Sequence, residues 1–517
     1  MKRWTVTGRI VLALTLVMAS LAAATPAEAI TYVPINGRGS TWSKNAIDQW
    51  KVNVLANYGM QVEYGGGGSS AGRRDFTEGT VDYAVSEIPF QLKPEDNSAP
   101  EKPPYGYAYM PIVAGGTAFM YNLKIGGKQV SNLRLSGETV TKIFTGGITN
   151  WNDAAIKADN PGLALPDKKI VPVIRSDGSG STAQFTLWMS KQHSTLWNAF
   201  CKSVGRATPC GLTSQYPNFG NSKAQNGSDG VASYVKENYG EGAITYVEYS
   251  YALGAKFPVA KILNAAGYYV EPTANAVAVA LLKASINTDK NSTEYLTQIL
   301  DGVYNNSDPR TYPLSSYSYM IVPTEVGGIF TEAKGVTLSA FASYVLCEGQ
   351  QQASALGYSP LPMNLVLAGF DQIARIPGSI GKKPDINSCN NPTFKPGDSP
   401  SSNQLATNAP QPAACDKQGA TQCATGTGGL TAPTTTSSTT ATGTEAGTDG
   451  ATTELGGELT GGSGSLGSNA VGAPFELAEQ GWGAPQSLML FAGLLLVGVA
   501  ILPPLLWRRF SSLKKGK

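Results

Sequence analysis

Residues 169–182, KIVPVIRSDGSGST, decide how the chain is read. An apolar run from Ile170 to Ile174 ends at Arg175, a Gly/Ser-rich turn follows, and Ala183 to Met189 continues as a helix. A strand that passes through a short turn into a helix is half of a parallel βαβ unit. The arginine at its end projects at the carboxyl edge of the sheet, where open α/β sheets take their ligands. Asp177, two residues on, is placed to hold the guanidinium in one orientation. The competing reading of Arg175 is a surface ion pair with Asp177.

Two earlier stretches share this design. Gly37-Arg38-Gly39-Ser40-Thr41-Trp42 leads into a helix near Asn45, and Gly65 to Gly72 (GGGGSSAG) leads into Arg73 to Thr77. A helix start leaves unpaired N–H donors at the positive end of its dipole, which together make an anion site. Glycines let backbone approach a ligand closely, and hydroxyls add donors. Taken singly, each loop is weak, because Ser and Thr are ordinary N-caps. Three in one chain, one carrying an arginine, point to an anion.

Strand-like and helix-like segments alternate outward from these loops. QVEY (61–64), VDYAVS (81–86) and YMPIVAGGTAFMYNL (109–123) are strand-like, GETVTKIF (137–144) is helical, and KIVPVI (169–174) is again a strand. This predicts α/β architecture with largely parallel pairing. Residues 30–395 are too many for one comfortable core, so two lobes are expected. Lobe 1 is placed at about 30–112 and 255–395, and lobe 2 at about 113–254.

The ends are of another kind. Residues 1–29 read as a signal peptide: Lys2, Arg3 and Arg9, an apolar run from Ile10 to Ala24, and Ala27-Glu28-Ala29 as a cleavage signal. Residues 487–506 (SLMLFAGLLLVGVAILPPLL) carry no charge and are long enough for one transmembrane helix. Residues 507–517 add five basic side chains, a tail that the positive-inside rule puts in the cytoplasm. Residues 396–486 are rich in Thr, Gly, Ser and Pro and read as a disordered stalk. The expected product is a single-pass cell-membrane protein with a large extracellular N-terminal domain.

The chain is formally +2; its first 29 residues carry +2 and its last 11 carry +5, which leaves the intervening part at −5. An acidic ectodomain argues against nucleic acid as a partner. Local dipoles and hydrogen bonds, not the bulk field, must attract an anion. Six cysteines suit an oxidising compartment. Cys201 and Cys210 are near neighbours, as are Cys415 and Cys423, and Cys347 and Cys389 remain; three such disulfides are expected among the many pairings six cysteines admit. His193 is the only histidine and no CxxC occurs, so neither zinc nor any cofactor is expected.

The blocks GRGSTW, YGGGGSSAG…GTVDYAVSE, IFTGGITNWNDAAIKADNPGLALP, IVPVIRSDGSGST and ITYVEYSYA, in this order over roughly residues 33–370, resemble the signatures of the phosphate-binding protein of the Pst ABC transporter, the PstS family. The resemblance implies a type II periplasmic-binding-protein fold, two α/β lobes joined by crossovers with the ligand between them. It implies inorganic phosphate as ligand and an ABC permease as partner. Carried over position by position, Thr41 and the backbone N–H of Trp42 take one side of the phosphate, Trp42 standing where the family has phenylalanine. Ser69 adds a hydroxyl and an amide. Arg175, Ser179, Gly180 and Ser181 come from the other lobe, Ser181 replacing a threonine. Glu87 stands where the family has an aspartate that accepts a hydrogen bond from a proton on the phosphate. The extra methylene implies either a shifted pocket or an altered ligand preference, unless Glu87 turns to solvent.

Three functional classes follow. A phosphate receptor, feeding import or sensing, is the leading one. A surface phosphatase lacks a nucleophile with a base or a metal cluster. An adhesion or wall-associated protein with a vestigial pocket is the third, supported by the stalk and span.

Overall fold

The computed structural model of the chain describes residues 31–379 and 385–430. The expected signal peptide, residues 431–486 of the expected stalk, the apolar run 487–506 and the basic tail lie outside the described residues. Among the described residues no helix is long and apolar enough to cross a membrane.

Eight strands form the main sheet: β1 (Ile35–Gly39), β2 (Val62–Gly65), β3 (Tyr83–Ser86), β4 (Tyr107–Tyr121), β5 (Val171–Arg175), β6 (Lys223–Gln225), β7 (Ala243–Glu248) and β8 (Ser315–Pro323). Their order is β2-β1-β3-β8-β4-β7-β5-β6. Both flanks are parallel, β2 and β3 on β1, and β7 and β6 on β5. The centre is antiparallel, because β4 and β8 run against their neighbours. The expected parallel pairing therefore holds for the two flanks and fails at the seam. The strands at the seam are buried along nearly their whole length, which suits their almost continuous apolar sequence.

β4 joins the halves. Tyr107 to Gly116 pair with β8, and Thr117 to Tyr121 pair with β7. The change of partner falls at Gly115-Gly116, where there is no room for side chains. A Cβ on Gly115 would sit 2.6 Å from the Trp42 ring and 3.1 Å from a Glu248 carboxylate oxygen, and one on Gly116 would sit 2.6 Å from Pro272. The chain's return differs from the expected boundary at 254. Lys261-Ile262 pair with Arg134-Leu135, and Ile262-Leu263 pair with Tyr269-Val270, so the chain stays with the second half through residue 270.

Helices follow the strands as the periodicity predicts. α1 (Lys44–Tyr58) buries Ala46, Ile47, Trp50 and Val54 beneath β1 and β2, and ends at Gly59 in the left-handed region (φ 68°). α2 (Ser69–Thr77) follows β2, α3 (Gly180–Gln192) follows β5, and α4 (Gly227–Lys236) follows β6. Each helix N-terminus therefore sits at the carboxyl end of its strand.

Residues 396–430, expected as the start of a stalk, are instead folded onto the domain. Asn403 caps a short helix, Gln404–Thr407, and the Arg310 guanidinium donates to the carbonyls of Ala406 (3.1 Å) and Ala409 (3.3 Å). Arg134 donates to the carbonyls of Cys415 (3.1 Å) and Thr421 (2.9 Å), and Lys261 pairs with Asp416 at 2.8 Å. Cys201–Cys210, Cys347–Cys389 and Cys415–Cys423 are disulfides.

Candidate anion site

Three of the four loops that follow β1, β2, β5 and β6 are the ones singled out by composition. Gly39, at the end of β1, has φ of 141°, and a Cβ there would overlap the Val85 carbonyl, so only glycine lets the chain turn beside β3. The turn places Thr41 and Trp42 over the seam. The Trp42 N–H donates to Ser40 Oγ at 2.9 Å. The phenol of Tyr251 donates to the Thr41 carbonyl, and that of Tyr358 donates to the Trp42 carbonyl at 2.7 Å. Burial pushes both phenols far above their ordinary pKa, so they remain donors at physiological pH.

The second loop is pressed against the third. Gly68 (φ 89°) leaves no space for a Cβ, which would overlap Asp177 and fall 2.5 Å from the Gly178 carbonyl. The Ser70 N–H donates to that carbonyl at 3.1 Å. Ser69, the first residue of α2, accepts the Gly180 N–H at 3.1 Å and donates to Glu87 Oε2 at 2.7 Å.

Arg175 ends β5 as the sequence predicts. Its Nε donates to Asp177 Oδ1 at 2.7 Å, and Nη2 donates to Asp177 Oδ2, a two-pronged pair. The side chains are only 2% and 6% exposed, which overturns the surface-pair reading of Arg175. Nη2 also donates to Thr41 Oγ1, 3.0 Å away on the other half of the sheet. Ser179 is the N-cap of α3, its Oγ accepting the Thr182 N–H at 3.2 Å. The Ser181 hydroxyl is buried with no protein partner. The Tyr246 phenol, which shares a hydrogen bond with Thr182 Oγ1 (2.8 Å), is pushed up to about 12 by burial.

Glu87 does not face solvent; it is 0% exposed. Oε1 accepts the hydroxyls of Ser40 (2.6 Å) and Ser318 (2.8 Å), and Oε2 accepts Ser69. Its backbone carbonyl is held by Gln184 Nε2 (2.8 Å) and Gln298 Nε2 (3.1 Å), one from each half. A buried carboxylate is tolerable here because hydroxyls satisfy both oxygens.

The structure thus joins Thr41, Ser69, Glu87, Arg175, Asp177 and Gly180 through direct contacts, with Trp42, Ser179 and Ser181 beside them. Four participants escaped the sequence reading: Ser40, Ser228, Ser318 and Tyr251. Ser228 opens α4 and meets Thr41 twice, through its Oγ at 2.9 Å and its N–H at 3.1 Å. Gln225-Asn226-Gly227-Ser228 was a fourth turn of the same design, and its legible signal was the Gly-Ser pair before an apolar helix. Ser318, from the middle of β8, carried no local signal. His193 packs edge-on against Trp188, ring centroids 4.9 Å apart, and burial lowers its pKa. Among the described residues no cluster of His, Cys, Asp or Glu could hold a metal.

The family model described as a PBP superfamily domain matches residues 22–348. The chain is 34% identical over 340 residues to the phosphate-binding protein PstS of Xylella fastidiosa, covering 66% of this chain and 85% of that one. It is 32% identical over 355 residues to PstS of Methanocaldococcus jannaschii, with 66% and 86% covered. The chain belongs to the PstS family of phosphate-binding proteins. As a PstS-family member it is a substrate-binding protein and not an enzyme. The fold is also that of the ancestral soluble variant of the human phosphate binding protein, at TM-score 0.50 and 20% identity over 68% of this chain and 99% of that one. The superfamily-model match ends at residue 348, before the segment 385–430 that folds onto the domain.

Proposed function

We propose that this PstS-family chain binds inorganic phosphate outside the cell, with Thr41, the Trp42 N–H, Ser69, Arg175, Ser179, Gly180 and Ser181 as donors and Glu87 as the one acceptor. The observation that carries this reading is the buried carboxylate of Glu87, whose oxygens accept the hydroxyls of Ser40, Ser69 and Ser318. A protonated phosphate oxygen meets a carboxylate favourably, whereas fully ionised sulfate has only acceptors to offer it. The unpartnered Ser181 hydroxyl supports the same reading, since a buried donor without a partner is costly. Asp177 acts by orienting Arg175 and by accepting the Gly227 N–H at 2.9 Å.

Because donors come from both halves of the sheet, ligand capture by hinge closure follows. The bound phosphate is then passed to an ABC permease, or sensed by a receptor that residues 487–506 tether to the membrane with this domain outside. The uncharged run and the basic residues after it support the tether. Calorimetry of the full-length chain with phosphate, arsenate and sulfate tests the ligand. Heat with phosphate and arsenate but not sulfate is expected. Absence of phosphate heat would return the chain to the adhesion class.

A further inference from the structure

Outside the anion site, a surface loop of the first half also reaches across to the second. The loop is anchored on its own side: Glu101 pairs with Arg73 of α2 at 2.7 Å and accepts the Gln91 N–H at 2.8 Å. From it, Glu95 Oε2 accepts the Leu212 N–H at 2.7 Å, and Asp96 Oδ2 accepts the Thr213 hydroxyl at 2.6 Å.

The receiving segment is equally well held. The Cys201–Cys210 disulfide fixes its start, Trp197 Nε1 donates to the Gly211 carbonyl at 2.9 Å, and the Ser179 N–H donates to the Ser214 carbonyl at 2.9 Å. Gly211 has φ of 59°, and a Cβ there would overlap the Glu95 carboxylate, so this position is shaped to receive it. Burial raises the Asp96 carboxyl, but hydrogen bonds from Thr213 and Ser98, with Arg206 nearby, outweigh it and hold the group below its ordinary range. It therefore stays an ionised acceptor at neutral pH.

We propose that Glu95 and Asp96 form a latch across the mouth of the cleft that holds the closed state and sets how fast bound phosphate leaves. The proposal rests on the phosphate reading above. Neither carboxylate belongs to the anion site, yet both bonds must break before the halves can part. Each latch end is tied to a phosphate loop, one through Arg73 on α2 and the other through Ser214 to Ser179. Glu95 is exposed, so the bond it makes is one that water replaces readily, as a release device requires.

The test compares the full-length chain with the Glu95→Ala/Asp96→Ala double variant by rapid-mixing release of radiolabelled inorganic phosphate. A rise in release rate of roughly tenfold, with association and thermal midpoint little changed, is expected when two interlobe hydrogen bonds are lost. Asp96→Asn keeps an acceptor for Thr213 and is expected to retain most of the slow release. Release within about twofold of the parent, or an equal fall in association, overturns the latch. Spin labels at Glu78→Cys and Lys236→Cys, both exposed and one on each half, read the opening without ligand. If the parent chain binds no phosphate, the phosphate reading fails. The label distances then decide the latch alone, longer and broader in the double variant if it exists and unchanged if it does not.

Discussion

The carboxylate of Glu87 occupies the space that a side chain on Gly180 would need. A Cβ at Gly180 would overlap Oε2 of Glu87 and fall 2.6 Å from Ser69 Oγ. The two residues come from opposite halves of the sheet, so this fit exists only when the halves are together. The methylene that Glu87 adds over the aspartate implied by the family resemblance is accommodated against this bare backbone. Gly180→Ala should therefore leave the fold intact, since alanine suits a first helical turn, while opposing closure. Overpacking of this kind costs about 1–3 kcal/mol, or roughly 5- to 150-fold in phosphate affinity. Calorimetry measures the loss, and the Gly180→Ala/Glu87→Asp double variant should recover part of it.

Arg175 and Ser181 are expected to differ sharply. The guanidinium is a charge-assisted donor whose removal also leaves Asp177 buried and unpaired, so Arg175→Ala should cost about 2–5 kcal/mol of binding. Ser181→Ala removes one neutral hydroxyl, at about 1 kcal/mol. Equal losses in a phosphate titration would mean that the arginine does not face the ligand. The melting temperature of Arg175→Ala should fall as well, because Asp177 then lacks its partner.

How far the sequence carried the reading can be seen residue by residue. Strand-turn-helix blocks such as 169–182 are local, and their glycines and hydroxyls exposed both the α/β flanks and the arginine. The antiparallel seam was not legible, because the pairing of β4 with β8 joins segments some 200 residues apart and leaves no local pattern. Ser318 was invisible for the same reason: it meets Glu87 only through that pairing. Ser228 was legible in principle but has no arginine beside it to single it out. Residues 396–430 misled because their composition offers little apolar surface. They are held instead by buried Arg134 and Lys261 and partly buried Arg310 bonding to backbone and Asp416, which composition does not reveal.

Glu248 gives a pH signature to the hinge. It is buried at the end of β7 beside Gly115, and burial raises its carboxyl well above the ordinary 4.5. The folded chain therefore keeps a proton that the unfolded chain has released. Its contribution is fully present below about pH 4.5 and is lost progressively as pH rises, by up to about 1.4 kcal/mol per pH unit within the window. Glu248→Gln keeps an acceptor for the Ser250 N–H (2.8 Å) and abolishes the titration. Denaturant midpoints of parent and variant should coincide near pH 4 and diverge in the variant's favour toward pH 8. Parallel curves would mean that the carboxyl is already ionised in the folded state.

The Lys261–Asp416 pair tests whether residues 396–430 are part of the domain. Both side chains are about nine-tenths buried, at 9% and 10% exposure, and Asp416 takes both of its bonds from one ammonium at 2.8 and 2.9 Å. Lys261→Met leaves that carboxylate buried without a counter-charge, a loss of about 3–5 kcal/mol. The segment should then detach in part and become open to limited proteolysis between the Cys347–Cys389 and Cys415–Cys423 disulfides. Adding Asp416→Leu removes the orphaned charge and fills its space with apolar volume. Protection and melting temperature should then return close to those of the parent, because a buried ion pair contributes little net stability over a well-packed apolar replacement. Equal protease sensitivity in the parent, the single variant and the double variant would mean that the segment does not dock in solution.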